Sequence, residues 1–188
     1  LRESLDTTRH PVRIAIEPGF DLWFDHDLEF GLPHSSLYFS IRSSQARGDA
    51  HQSVLTELYV ALVNDMLSEL TYPAFLAGVD FKLYAHRRGF SLRIEGFNDR
   101  QPQLLEAILD RLAEPVIEPA RFERLREDLL IRLRNRQRGD PSHRAMGVLH
   151  RLLLERSWSP PELVTVAKAI TIEEMKVFPN QFFADTNA

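Results

Sequence analysis

The stretch Val79-Asp80-Phe81-Lys82-Leu83-Tyr84-Ala85-His86-Arg87-Arg88-Gly89-Phe90-Ser91-Leu92-Arg93-Ile94-Glu95 decides the class of fold. Val79, Phe81, Leu83 and Ala85 alternate with Asp80, Lys82 and Tyr84, and Phe90, Leu92 and Ile94 alternate with Ser91, Arg93 and Glu95. Successive side chains of a strand point to opposite faces, so each run has one apolar and one polar face. Gly89 punctuates the two runs, which makes them an antiparallel hairpin.

Upstream the period changes. Between about His51 and Ala77, Leu55, Leu58, Leu62, Met66 and Leu70 recur at helical spacing, and Val54, Ala61 and Val63 widen the stripe. A helix apolar over so broad an arc needs a sheet on one side and a second cover on the other, and Gly78 supplies its C-terminal stop. The apolar face of the hairpin is the natural partner. Further back, Leu37, Phe39 and Ile41 mark a strand over 36–41, and Val12, Ile14 and Ile16 mark a short half-buried strand closed by the turn Glu17-Pro18-Gly19. Downstream, Pro102 opens a helix with Leu105, Ile108, Leu109 and Leu112 on its core face, and Pro119 opens another with Phe122, Leu125, Leu129 and Leu133. A further helix after Gly139-Asp140-Pro141 carries Met146, Leu149, Leu152 and Leu153. The capping boxes Ser159-x-x-Glu162 and Thr171-x-x-Glu174 predict helices starting near 160 and 172. Strands, a long helix, a hairpin and then an all-helical second half make an α+β domain, an antiparallel sheet packed against helices, rather than a βαβ repeat.

Bulk properties fit a soluble globular domain. A chain of 188 residues buries roughly 70% of the surface it exposes when unfolded, enough for a core without staples. There is no cysteine, hence no disulfide and no thiolate metal site, which suits cytoplasm and periplasm alike. The net charge of −4 offers nucleic acid no general attraction, and no apolar run is long enough to span a bilayer. The basic residues include only three lysines, Lys82, Lys168 and Lys176, an arginine preference that reports genomic base composition. Residues 1–11 read as a linker ending at Pro11, and a start at Leu1 suggests a segment of a longer chain.

No active site emerges from motif spacing. Neither H-E-x-x-H nor H-x-x-E-H occurs, and there is no G-x-S-x-G elbow and no glycine-rich phosphate cradle. His143 and His150 can share a helix face but lack a third ligand. Asp25-His26-Asp27 is adjacent in an extended segment, where neighbouring side chains diverge, so it reads as a solvated turn. Arg132, Arg134, Arg136 and Arg138 form the one basic block. Alternate residues sit about 200° apart on a helix, so these arginines are expected to spread around it and to meet the dipole at its C-terminal end rather than to line a groove.

The string Arg93-Ile94-Glu95-Gly96-Phe97-Asn98-Asp99-Arg100-Gln101-Pro102-Gln103-Leu104-Leu105 resembles the strand–turn–helix junction of the third domain of pitrilysin/insulysin (M16) zinc metallopeptidases. Leu22-Trp23-Phe24 through Leu32-Pro33 is similar to that domain's lead-in segment, and Tyr72-x-Ala74-x-Leu76-Ala77-Gly78 to the end of its long helix. Pro141-x-x-x-Ala145-Met146, Trp158 before Ser159, and Ile170-Thr171 agree as well.

The resemblance covers about 12–185 and implies an M16-like two-layer domain with a helical second half. It implies 12–188 as one middle (third) domain that stops before a closing strand and leaves a sheet edge open. In that family the zinc ligands lie in the first domain, and the Arg and Tyr that contact substrate lie in the fourth. No position here matches them, so the expected lists of catalytic, metal and cofactor-binding residues in this chain are empty. Zinc belongs to the parent enzyme. The expected partners are other domains of the same polypeptide and a peptide substrate in an enclosed chamber, with no nucleic acid and no membrane, in a bacterial protein of cytoplasm or periplasm. Two alternatives remain: a domain of a catalytically inactive relative acting in assembly or binding, and an anion- or nucleic-acid-binding module using Arg132 to Arg138, against which the net charge and the scattered geometry argue.

Overall fold

In the computed structural model the described residues are 10–26, 31–46, 48–137, 140–154 and 156–187; the expected linker therefore falls almost wholly outside them. The strands are β1 (Val12–Glu17), β2 (Phe20–Phe24), β3 (His34–Ser43), β4 (Val79–His86), β5 (Gly89–Phe97) and β6 (Thr186–Asn187). The helices are α1 (Ala50–Leu76), α2 (Gln101–Ala113), α3 (Pro119–Gln137), α4 (Pro141–Leu153), α5 (Pro160–Ala169) and α6 (Ile172–Ala184).

The hairpin forms as its alternation requires. β4, β5, β3 and β6 are neighbours in that order, all antiparallel. The register aligns Leu37, Ile94 and Phe81 across three strands, and likewise Phe39, Leu92 and Leu83. One face of the sheet is therefore apolar across these rows, and α1 lies on it. Leu58, Leu62, Val63 and Leu67 are sealed from solvent, and so is Tyr59. The other side of α1 is covered by α2, α3, α5 and α6, which accounts for the breadth of its apolar arc.

Aromatic packing ties the layers together. Tyr59 of α1 meets Phe90 of β5 and Phe178 of α6, and Phe182 stacks on Phe90 at 5.0 Å. The Tyr59 hydroxyl donates to the Leu112 carbonyl of α2, and burial pushes its pKa well above the ordinary tyrosine range. The buried amide of Gln101 is similarly matched. Gln101 donates from Nε2 to the carbonyls of Ser35 (2.7 Å) and Gly96 (2.9 Å) and accepts from the Ser35 hydroxyl, which pins the start of α2 to β3 and β5.

Gly96 has φ +125°, and a Cβ there would lie 2.0 Å from the Gly78 carbonyl oxygen. Only glycine permits this close approach of β5 to the end of α1. Both capping boxes form: the Glu174 carboxylate accepts the Thr171 N–H (2.7 Å), and Glu162 accepts the Ser159 N–H (2.7 Å).

Three packing expectations are corrected. β1 and β2 form their own two-stranded sheet, so the strand expected to be half-buried has Ile14 and Ile16 exposed. Leu70 lies on the last turns of α1, where Tyr72, Phe75 and Leu76 also face solvent. Leu109 is exposed because α2 turns Leu104, Leu105, Ile108 and Leu112 inward and leaves Leu109 at the margin of the arc.

Replacing Gly96 by Ala is expected to destabilise the domain by more than about 2 kcal/mol in urea unfolding, because strain and a backbone clash act together. The acid limb of stability is a second expectation. Hydrogen bonds from the Thr171 N–H to Glu174, and from the Ser159 hydroxyl and N–H to Glu162, hold both carboxyls below their usual range. A lowered folded-state pKa contributes stability above the unfolded value of about 4.3 that is lost as pH falls through the folded value. Stability should therefore decline below about pH 4, and Glu174→Gln should lower the urea midpoint at pH 7 while flattening that acid limb.

Candidate functional surfaces

The open face of the sheet is polar and cross-linked. The Tyr38 hydroxyl lies 3.1 Å from Ser91 Oγ and 3.3 Å from the Tyr84 hydroxyl, so the two tyrosines roof the buried Ser91. One row away, Arg93 binds Glu95, which also accepts from Ser36 Oγ at 3.1 Å. The hydrogen bonds to Ser91 and Tyr84 lower the Tyr38 pKa, whereas the bond to Tyr38 raises that of Tyr84. An alkaline titration followed by the ring-carbon NMR shifts should therefore ionise Tyr38 before Tyr84. Tyr84→Phe should leave Tyr38 with a smaller downward shift.

A groove of about 490 Å³ runs between α1, the end of α3 and the edge strand β4. Its charged lining is Arg87, Arg132, Arg136 and Glu57. Arg136 reaches Glu57 Oε1 at 3.4 Å and Arg132 reaches the same oxygen at 4.0 Å. This corrects the expectation that the arginine run spreads without lining a groove: Arg132 and Arg136, four apart, share one face. Arg138 lies outside the described residues. His86 also lines the groove; its Nδ1 accepts the Arg88 N–H at 3.1 Å, and its Nε2 is sealed from solvent without a partner of good geometry. Burial lowers its pKa against the influence of the Phe90 carbonyl, and Arg42 and Arg88 lower it further, all of which favours the neutral ring.

Two apolar surfaces have no cover among the described residues. No described side chain of α4 joins the core, and Leu152 and Leu153 are 79% and 71% exposed, with Met146 and Leu149 open beside them. The β1–β2 ribbon presents Ile16, Phe20, Leu22 and Trp23, the last 58% exposed. An isolated helix of that length and a lone two-stranded ribbon are each marginal in water.

No group of three or more His, Cys, Asp or Glu is placed to hold a metal among the described residues. His150 is an exposed residue of α4, and Asp27 of the Asp25-His26-Asp27 cluster lies outside the description. No described helix is long and apolar enough to cross a membrane.

The family model for the middle or third domain of peptidase M16 matches residues 1–166. This chain is a middle domain of the M16 peptidase family. Human insulin-degrading enzyme is 32% identical over 179 residues, covering 95% of this chain and 18% of that protein. The putative zinc protease mug138 of Schizosaccharomyces pombe is 35% identical over 183 residues, covering 93% of this chain and 19% of the relative. The crystal structure of pitrilysin superposes with a TM-score of 0.85 at 20% identity, over 93% of this chain and 19% of that one. The chain thus spans about a fifth of the length of the M16 relatives it matches. The family and the place of the domain within it are those implied by the junction at 93–105.

Proposed function

We propose that this M16 middle domain is a non-catalytic part of a zinc metalloendopeptidase acting on peptides. Its role is to form a stretch of the chamber wall that encloses the peptide, together with the surface on which other domains of the same polypeptide dock. The bare apolar face of α4 carries the proposal. A helix that contributes nothing to its own domain's core and exposes a leucine stripe is stable only when something covers it, and relatives about five times as long contain the domains to do so. The zinc and the catalytic groups then belong to those domains, and this chain supplies shape: rigid layers that hold a substrate pathway in place, where an error of about an ångström is costly.

The proposal includes the extent of the domain, 12–188 preceded by a linker. Among the described residues β6 pairs with Arg42 and Ser43 of β3, and the proposal has that strand run on along β3 in the parent to close the sheet.

Incubated with zinc and a fluorogenic peptide, the isolated chain should show no turnover and no stoichiometric zinc by elemental analysis. Chelator-sensitive cleavage would sink the proposal. Leu152→Glu with Leu153→Glu should change the stability of the isolated chain by no more than about 0.5 kcal/mol, as for exposed sites generally. The same pair should lower the melting temperature of the parent polypeptide. A large loss in the isolated chain would mean that the α4 face is already covered.

A further inference from the structure

The groove between α1, α3 and β4 gathers arginines that the fold leaves weakly paired. Three arginines nearer the start of α3 are committed to the fold. Arg121 and Arg124 bracket Asp65 of α1 at 3.1 and 2.7 Å, and Arg126 donates to the Ile170 carbonyl at 3.0 Å while resting over the Phe122 ring. Arg132 and Arg136 differ. Among the described residues their acidic partner is one oxygen of Glu57, at distances too long for tight pairing. Two guanidiniums carry ten N–H donors between them, most of which face the groove or water. With Arg87 added, the lining holds three arginines against one glutamate.

The backbone of β4 contributes as well. β4 is an edge strand, and Asn64 Nδ2 donates to its Leu83 carbonyl at 2.9 Å, which places the Leu83 peptide groups on the outer side. Outward and inward groups alternate along an antiparallel edge, so the N–H and C=O of Ala85 also face outward, at the wall of the groove. Val60 and Ala61 give the opposite wall an apolar strip. An outward peptide group, an apolar strip and unsaturated guanidiniums within about 490 Å³ match one ligand chemistry. That ligand is a short extended backbone bearing carboxylates, which arginine binds in bidentate fashion.

We infer that this groove binds an acidic peptide segment in extended conformation. The segment pairs with the β4 edge at Ala85 and places a carboxylate between Arg132 and Arg136, where it competes with Glu57. The inference does not rest on the chamber role proposed above; it stands on the geometry of α1, α3 and β4 alone.

Calorimetric titration of the 188-residue chain with acetylated, amidated Glu-Val-Glu-Val-Glu tests it, beside the Gln-Val-Gln-Val-Gln counterpart. Saturable binding of the acidic peptide is expected, with at least about tenfold weaker binding of the glutamine peptide and salt sensitivity. Arg132→Ala and Arg136→Ala should each weaken binding about tenfold. Their side chains are about half exposed, and unfolding curves run in parallel would separate loss of binding from loss of fold. Glu57→Gln should strengthen binding, because it removes the internal competitor; a purely structural Glu57 would not give that gain. Lys82→Ala, on the polar sheet face, should leave binding unchanged. The inference is overturned by absence of saturable binding, by an equal loss in Lys82→Ala, or by weaker binding in Glu57→Gln. The occupant is a peptide from outside the polypeptide, so binding should be retained when the titration is repeated on the parent, and blocked binding there also overturns the inference.

Discussion

The structure depends on α1 being buried on two sides. A helix of 27 residues with Leu58, Tyr59, Leu62, Val63 and Leu67 all sealed cannot turn a polar face to water along most of its length. The sheet must lie on one side of it and a helical layer on the other. Tyr59 expresses that constraint in one side chain: its ring packs against β5 and α6, and its hydroxyl is spent on the Leu112 carbonyl of α2. The penalty for a buried hydroxyl without a partner is about 1–3 kcal/mol, so this bond makes the burial tolerable and fixes α2 relative to α1. The Gln101 clamp does the same for α2 and the sheet. Packing supplies the energy; these two polar contacts select the arrangement.

Beyond that sandwich the chain is less self-sufficient. The last turns of α1, the β1–β2 ribbon and the whole of α4 leave large apolar residues in contact with solvent. Scattered exposed hydrophobics are ordinary in globular proteins, but a continuous stripe along a helix that touches no core is not. For a domain that makes up about a fifth of its relatives' length, such surfaces have a simple physical meaning. The core is complete within the domain, and the edges carry the apolar surface that a neighbour would cover. The polar face of the sheet is different, because its tyrosine, serine and Arg93–Glu95 contacts are satisfied internally and need no partner to be stable.

The arginine run shows where spacing falls short. Alternate positions diverge around a helix, so the block as a whole does not line one groove; the i, i+4 subset Arg132 and Arg136 does. Which subset matters depends on what stands opposite, and Glu57 is 75 residues away in sequence from Arg132. Nothing local to residues 132–138 signals that glutamate. The Leu109 and Leu70 expectations failed similarly: helical period marks an arc of candidates, while the neighbours' reach decides which members of the arc are covered.

Local rules by themselves determined the elements of this protein. Alternation in 79–95 gave the hairpin, the broad stripe in 51–77 gave a helix covered twice, and the S-x-x-E and T-x-x-E patterns gave two helix starts, because each depends on residues within one turn or one strand pair. The family was likewise legible, in the junction from Arg93 to Leu105. Tertiary structure alone decided which apolar faces are buried and which stay open to solvent, and that Arg132, Arg136 and Glu57 face one another at the edge of β4. Those are facts about surfaces brought together across long stretches of chain, and burial and charge pairing act on distance in space rather than on distance in sequence.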